Sequence, residues 1–116
     1  EITTRLVGSE MCIRDRSEVD DYAAGKIIDA TESVCEDSEI KHVVFDFRDT
    51  TFMDSSGIGI ITRRFRQVYS RRGGVGVINV NERIDKILLM SGIYRIAVKL
   101  DECVGDGSHV QWQVHQ

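Results

Sequence analysis

Apolar residues recur at helical spacing in three segments of the chain beyond Ser17. The first segment follows Asp20 and Asp21, which are good N-cap residues, and is predicted to form a helix that ends at about Glu36. The inward-facing positions of this helix are Ala24, Ile27, Ile28, Thr31, Val34 and Cys35.

Two further helices are predicted from the same spacing. The second is expected to end at Gly73-Gly74, while the third is capped by Asn81 and ended by Gly92. The inward positions of the second helix are Ile58, Ile61, Phe65, Val68 and Tyr69. Those of the third helix are Ile84, Ile87, Leu88 and Met90.

Three runs rich in β-branched and aromatic residues alternate with these helices, at His42–Phe47, Gly74–Val80 and Tyr94–Leu100. Strands that alternate with helices of three or four turns indicate βαβ units and a mostly parallel sheet. We therefore predict an α/β domain whose carboxyl strand ends form the natural site edge.

Residues Leu6 to Arg16, "LVGSEMCIRDR", stand apart from this pattern. They look like the in-frame translation of a transposase-based sequencing adapter. We therefore predict a non-native segment at residues 1–16, an authentic domain at 17–101 and an irregular tail at 102–116, and we exclude the first segment from functional inference. The alternative interpretation is a genuine β-hairpin around Gly8-Ser9.

Composition and charge narrow the possible classes of protein. The chain has 116 residues, is 41% hydrophobic and 29% charged, and carries a net charge of −4, which argues against general nucleic-acid binding. No run is long enough to span a membrane. The wide spacing of Cys12, Cys35 and Cys103 suggests neither a disulfide framework nor a zinc site, so we expect no metal or cofactor. The basic stretch along the second helix is expected to be a solvated face; its members are Arg63, Arg64, Arg66, Arg71 and Arg72.

The stretch "FRDTTFMDSSGIGIITRRF" joins a predicted strand to the second helix. Phe47 ends the strand and Ser56 or Gly57 begins the helix, so the intervening loop lies at the carboxyl edge of the sheet. Asp54 and Ser55 stand where an N-cap is needed. The missing Cβ atoms of Gly57 and Gly59 leave the first turn open to close approach.

Serine, aspartate and glycine are common at any strand-to-helix junction, and a purely structural role stays possible. A hydrolase nucleophile elbow would need glycine where Met53 stands. A Walker phosphate loop would need a lysine after its last glycine, and the dinucleotide fingerprint a third glycine. The remaining chemical option is a serine hydroxyl that accepts phosphate from another enzyme.

Two segments, "FMDSSGIGII" and "GGVGVINVNERIDKILLMSGIYRI", resemble the anti-sigma factor antagonists of the STAS domain family, as does "SEVDDYAA" before the first helix. The likeness runs from about Ser17 to Leu100. It implies a small mixed sheet with helices packed mainly on one face. Two features depart from the family: its first two strands are expected to be missing, and its final helix is not evident in the tail.

The resemblance also implies a function. Such an antagonist is a cytoplasmic protein and not an enzyme. In its unphosphorylated form it binds an anti-sigma factor that is also a serine kinase, and so frees the sigma factor for transcription. The kinase switches the antagonist off by phosphorylating it, and a serine phosphatase reverses this. The acceptor maps to Ser55. The partner-binding residues map to Asp20, Asp54, Ser55, Ser56, Gly57 and Gly59. A STAS-like sensory or scaffold module that binds a small ligand or nucleotide, without phosphorylation, is the alternative.

Overall fold

The predicted alternation of strands and helices is confirmed in the computed structural model, which describes residues 2–7, 10–15, 21–35 and 39–100. Asp20 and the tail 102–116 lie outside this range. The elements are β1 (Ile2–Val7), β2 (Glu10–Asp15), α1 (Asp21–Cys35), β3 (His42–Asp46), α2 (Ser55–Tyr69), β4 (Gly74–Ile78), α3 (Glu82–Ser91), a 3-10 turn (Ile93–Arg95) and β5 (Ala97–Lys99).

The sheet has the order β1-β2-β3-β4-β5. Strand β1 runs antiparallel to β2, and the pairs β2–β3, β3–β4 and β4–β5 are parallel. Since each parallel pair needs a crossover, α1, α2 and α3 occupy the three connections. The predicted small mixed, mostly parallel sheet is therefore confirmed.

The described helices bury their apolar residues against one face of the sheet. That face presents Met11, Ile13, Val43, Phe45, Val75 and Val77, which form one cluster with buried residues from all three helices. Alternate strand positions point to the opposite face, because strand side chains have a period of two. There Cys12, Val44 and Ile78 form a second, smaller cluster with Leu100.

The N-terminal segment forms a hairpin in which Val7 lies opposite Glu10. This is the arrangement of the hairpin alternative, and it contributes Met11 and Ile13, 0% and 2% exposed, to the main core. A strand can form from any segment with suitable apolar alternation, whatever its genetic origin. The adapter origin of residues 1–16 thus stays a prediction, which the uninterrupted genomic locus would test.

Among the residues whose side chains the structure describes, which leaves out Val34 and Cys35, two that were expected to face inward do not. Tyr69 is 56% exposed and Met90 81% exposed. Tyr69 is the last residue of α2, which ends before Gly73-Gly74 rather than at it. Its ring packs along the helix on that of Phe65. Met90 lies two positions beyond Leu88, on the side of α3 away from the sheet. Tyr94 also differs from prediction, since it belongs to the 3-10 turn rather than to the last strand.

The solvated basic face predicted along α2 is wrong at Arg64, whose side chain is 0% exposed. Its guanidinium donates to Thr31 Oγ1 at 2.6 Å and to the Ile28 carbonyl at 3.1 Å. It also reaches Glu32 Oε2 at 3.1 Å and Gln67 Oε1 at 2.7 Å. Because three of these partners belong to α1, Arg64 fastens the second helix to the first.

Two glycines provide a matched test of packing. A Cβ on Gly73 would overlap the backbone carbonyl of Lys41, whereas a Cβ on Gly59 would meet nothing within 4 Å. We expect Gly73→Ala to lower the free energy of unfolding by about 1–3 kcal/mol, since backbone must move. Gly59→Ala should raise it by about 0.5–1 kcal/mol through helix propensity. Urea unfolding measures both, and equal effects would contradict this packing.

Candidate functional site at the start of helix α2

The β3–α2 loop, residues 47–54, is packed against the carboxyl edge of the sheet. The Phe47 N–H donates to the Ile78 carbonyl at 3.0 Å, and the Thr50 N–H donates back to the Phe47 carbonyl at 3.1 Å. Thr50 and Met53 are each 2% exposed. The loop therefore delivers the chain to α2 along a defined path.

Asp54 is the N-cap of α2, so the helix begins at Ser55, slightly earlier than predicted. Its Oδ1 accepts a hydrogen bond from the Ser56 N–H at 2.8 Å. Its carbonyl accepts from the N–H groups of Gly57 and Ile58 at 3.1 and 3.4 Å. Asp54 thus occupies the position where a helix N-terminus would otherwise attract an anion.

The residues of the motif differ in exposure. Ser55 and Gly59 are exposed, while Asp54 and Ser56 are half-buried. Gly57 is buried and borders an internal cavity of about 20 Å³ beneath the helix start. Ser55 is therefore the serine whose side chain is open to another molecule.

Two asparagines after β4 bond to the β3 side of the site. Asp46 Oδ1 accepts from the Arg48 N–H at 3.0 Å and from Asn79 Nδ2 at 2.9 Å. Asn81 Nδ2 donates to the Thr50 carbonyl at 3.2 Å, while Asn81 Oδ1 accepts from the Ile84 N–H at 2.9 Å. The cap at Asn81 was predicted from sequence, but its bond to the loop was not.

An open hollow of about 600 Å³ lies beside the loop. It is lined by Arg14, Arg48, Asp49, Thr50, Thr51 and Asn81. Arg14 forms an ion pair with Asp49, with its terminal nitrogen at 2.9 Å. The hollow is polar and shallow, and the side chains of its two arginines could bind an anion.

A second polar cluster fixes the segment after α3. Tyr94 donates its hydroxyl to Asp85 Oδ1 at 2.5 Å, and Lys99 Nζ lies 3.1 Å from the same oxygen. The Tyr94 hydrogen bond, followed by that of Lys99, lowers the pKa of Asp85. Burial and then the Asp85 hydrogen bond raise the pKa of Tyr94. Tyr94 therefore has a structural role here.

Within residues 2–7, 10–15, 21–35 and 39–100, no group of three or more histidine, cysteine, aspartate or glutamate side chains could hold a metal ion. Of the helices that the structure describes, none is both long and apolar enough to cross a membrane.

Together these features define a small α/β domain with one helix-covered sheet and a capped serine motif at its carboxyl edge. The chain belongs to the STAS domain family, whose model matches residues 1–106. The match includes the N-terminal hairpin as well as the serine motif.

Several named proteins are similar to this chain in sequence or in fold. The "Anti-sigma F factor antagonist" of Paenibacillus polymyxa is 27% identical over 86 residues, which cover 74% of each chain. The unphosphorylated form of the anti-sigma factor antagonist SpoIIAA superposes with a TM-score of 0.76 at 22% identity, covering 88% of this chain and 90% of that one. The phosphorylated form of Bacillus SpoIIAA gives 0.69 at 22% identity, covering 88% and 93%. At these identities the two structures establish the fold alone.

Proposed function

We propose that this chain is an anti-sigma factor antagonist of the bacterial cytoplasm. In its unphosphorylated form it binds an anti-sigma factor that is also a serine kinase, and phosphorylation of Ser55 ends the binding. The observation that carries this proposal is the exposed Ser55 at the first position of α2, in a chain of the STAS family.

The environment of the two serines favours Ser55 as the acceptor. A kinase must align the attacking hydroxyl with the γ-phosphate of ATP. This requires a side chain that is exposed and projects from the protein surface. Ser55 is exposed, whereas Ser56 is half-buried and its N–H is bound to Asp54. The kinase supplies ATP and magnesium, a phosphatase reverses the step, and this chain acts as a regulator that supplies only the hydroxyl.

A phosphate at Ser55 would change the charge of the surface more than the fold. Phosphoserine carries about −1.5 to −2 charges and would stand next to the Asp54 carboxylate. Because Asp54 already binds the first-turn N–H of Ser56, the phosphate gains less from the helix start than an uncapped terminus would offer. The added charge is therefore left for the partner to accommodate.

The docking surface we propose includes Asp54, Ser55, Ser56, Gly57 and Gly59, with Asp20 added on family resemblance. Gly59 has open space where a side chain would project, so a partner's backbone could approach α2 closely. Gly57 is buried, and its lack of a side chain would allow the first turn of α2 to pack close to the sheet.

Phosphate transfer tests the proposal directly. The anti-sigma factor kinase of the same genome should phosphorylate the wild-type chain and Ser56→Ala, and should leave Ser55→Ala unmodified. Mass spectrometry of peptides that span residues 52–63 locates the phosphate. A phosphate on Ser56, or its persistence in Ser55→Ala, would contradict the assignment.

The polar hollow supports a second candidate, a module that binds an anionic small ligand or nucleotide without being phosphorylated. Titration with ATP and GTP in the absence of any kinase separates the two functions. Saturable nucleotide binding that Arg48→Ala weakens, together with no phosphate uptake at Ser55, would favour this second function.

A further inference from the structure

The side-chain amide of Asn81 joins two parts of the site. Its oxygen caps α3 by accepting from the Ile84 N–H, and its nitrogen donates to the carbonyl of Thr50 in the β3–α2 loop. Thr50 lies near the middle of that loop and is 2% exposed. One amide therefore ties the start of α3 to the chain that leads into α2.

We propose that Asn81 is a positioning residue for Ser55, an inference that rests on the proposed phosphoacceptor function. By binding the Thr50 carbonyl, Asn81 fixes the backbone path of residues 50–54. That path in turn fixes the position of the Ser55 hydroxyl relative to the carboxyl edge of the sheet. A kinase that aligns a hydroxyl with its nucleotide is sensitive to displacements of about 1 Å.

Other bonds restrain the loop as well: the Thr50 N–H donates to the Phe47 carbonyl at 3.1 Å, and Arg14 pairs with Asp49 at 2.9 Å. Asp46 and Asn79 are bonded at the base of the loop, as is the Phe47 N–H to the Ile78 carbonyl. Asp54 closes the far end by capping α2. Between them, the Asn81 bond reaches the middle of the loop from the start of α3. Its loss would remove the tie between the loop centre and the start of α3, so that residues 51–54 and the Ser56–Asp54 bond at the end of the loop would move more freely.

The two functions of Asn81 can be separated by one isosteric change. Asn81→Asp keeps an oxygen for the Ile84 N–H, because aspartate caps helices as well as asparagine does. It removes the donor and turns a second oxygen toward the Thr50 carbonyl, which is also an acceptor. Asn81→Ala, by contrast, loses the cap and the loop bond together.

Amide hydrogen exchange tests the positioning independently of any kinase. In Asn81→Asp we expect the amides of Thr50 and Ser56 to exchange about tenfold faster than in the wild type, while the amide of Ile84 keeps its protection. In Asn81→Ala all three should lose protection. If Asn81→Asp left the Thr50 and Ser56 amides unchanged, the proposal would be overturned.

Steady-state phosphorylation by the anti-sigma factor kinase of the same genome supplies the second measurement. Asn81→Asp should lower kcat by about tenfold with KM within about twofold, because the docking surface is retained while the hydroxyl is misplaced. Faster exchange with an unchanged kcat would overturn the positioning role. A wild-type chain that accepts no phosphate would instead refute the proposed function, whereas the exchange experiment would still decide whether Asn81 holds the loop.

Discussion

Ser55→Asp is expected to weaken binding of the anti-sigma factor by about 2–5 kcal/mol, which is at least about thirtyfold in Kd. The new carboxylate would stand beside Asp54 on the exposed start of α2. When a partner covers this surface, two neighbouring anions lose water without gaining a cation. Isothermal titration of the purified pair measures the change.

Three matched variants separate charge from shape. Ser55→Asn has nearly the size of aspartate but no charge, so it should bind more tightly than Ser55→Asp. Ser55→Ala should bind as the wild type does. Equal weakening by Asn and Asp would show that the side chain is excluded for its size, and the electrostatic switch would be wrong.

Ser55→Asp should weaken binding without destabilising the fold. Aspartate in the first turn of a helix interacts favourably with the helix dipole by about 0.3–1 kcal/mol, and repulsion from Asp54 opposes this gain. We therefore expect the Tm of Ser55→Asp to stay close to that of the wild type. A lost interface on an unchanged fold is the property that a phosphorylation switch requires.

Arg64→Ala is expected to lower the free energy of unfolding by about 3 kcal/mol, at the upper end of the effects on stability that we predict. The substitution removes a side chain that is 0% exposed and leaves Thr31, also 0% exposed, without its 2.6 Å donor. The Ile28 carbonyl loses a donor as well. Because the lost bonds cross from α2 to α1, chemical denaturation should report weaker packing of the whole pair.

Arg63→Ala is the matched control for Arg64→Ala. Arg63 bonds to the same Glu32 carboxylate at 3.0 Å, but its side chain is 49% exposed. Its loss should cost at most about 0.5 kcal/mol, as for other surface ion pairs. If the two variants were equally stable, the buried network at Arg64 would contribute nothing beyond a surface ion pair.

The free energy of unfolding should depend on pH through the carboxyl group of Glu32. In the folded state the hydrogen bond to Arg63, and then that to Arg64, holds the pKa of Glu32 below its ordinary value of 4.5. A lowered pKa contributes stability above the unfolded-state value, and this contribution is lost as the pH falls through the folded-state value. Arg64→Ala keeps the Arg63 bond and loses only the part of this lowering that Arg64 causes. The stability difference between the wild type and Arg64→Ala should therefore narrow slightly below about pH 4.5, without vanishing, because the bonds to Thr31 and Ile28 do not titrate.

Much of the fold could be predicted along the chain. The three helices and the individual strands depend on residues within a few positions of each other. So do the N-cap of α3 at Asn81 and its end at Gly92, whose φ is 81°. The serine motif could be placed at the carboxyl edge for the same reason. Within this motif, the cap at Asp54 and the exposed position of Ser55 both lie in the first turn of α2.

Long-range partners determined the rest. Arg64 has the sequence surroundings of a surface arginine, and only the approach of α1 makes it a buried bridge. The Asn81 amide reads as a simple cap until Thr50, 31 positions earlier, is brought within 3.2 Å. Residue order specifies bonds between near neighbours because local geometry sets their spacing. Which distant groups meet depends on how the helices pack on the sheet, and that packing assigned Arg64 and Asn81 their partners.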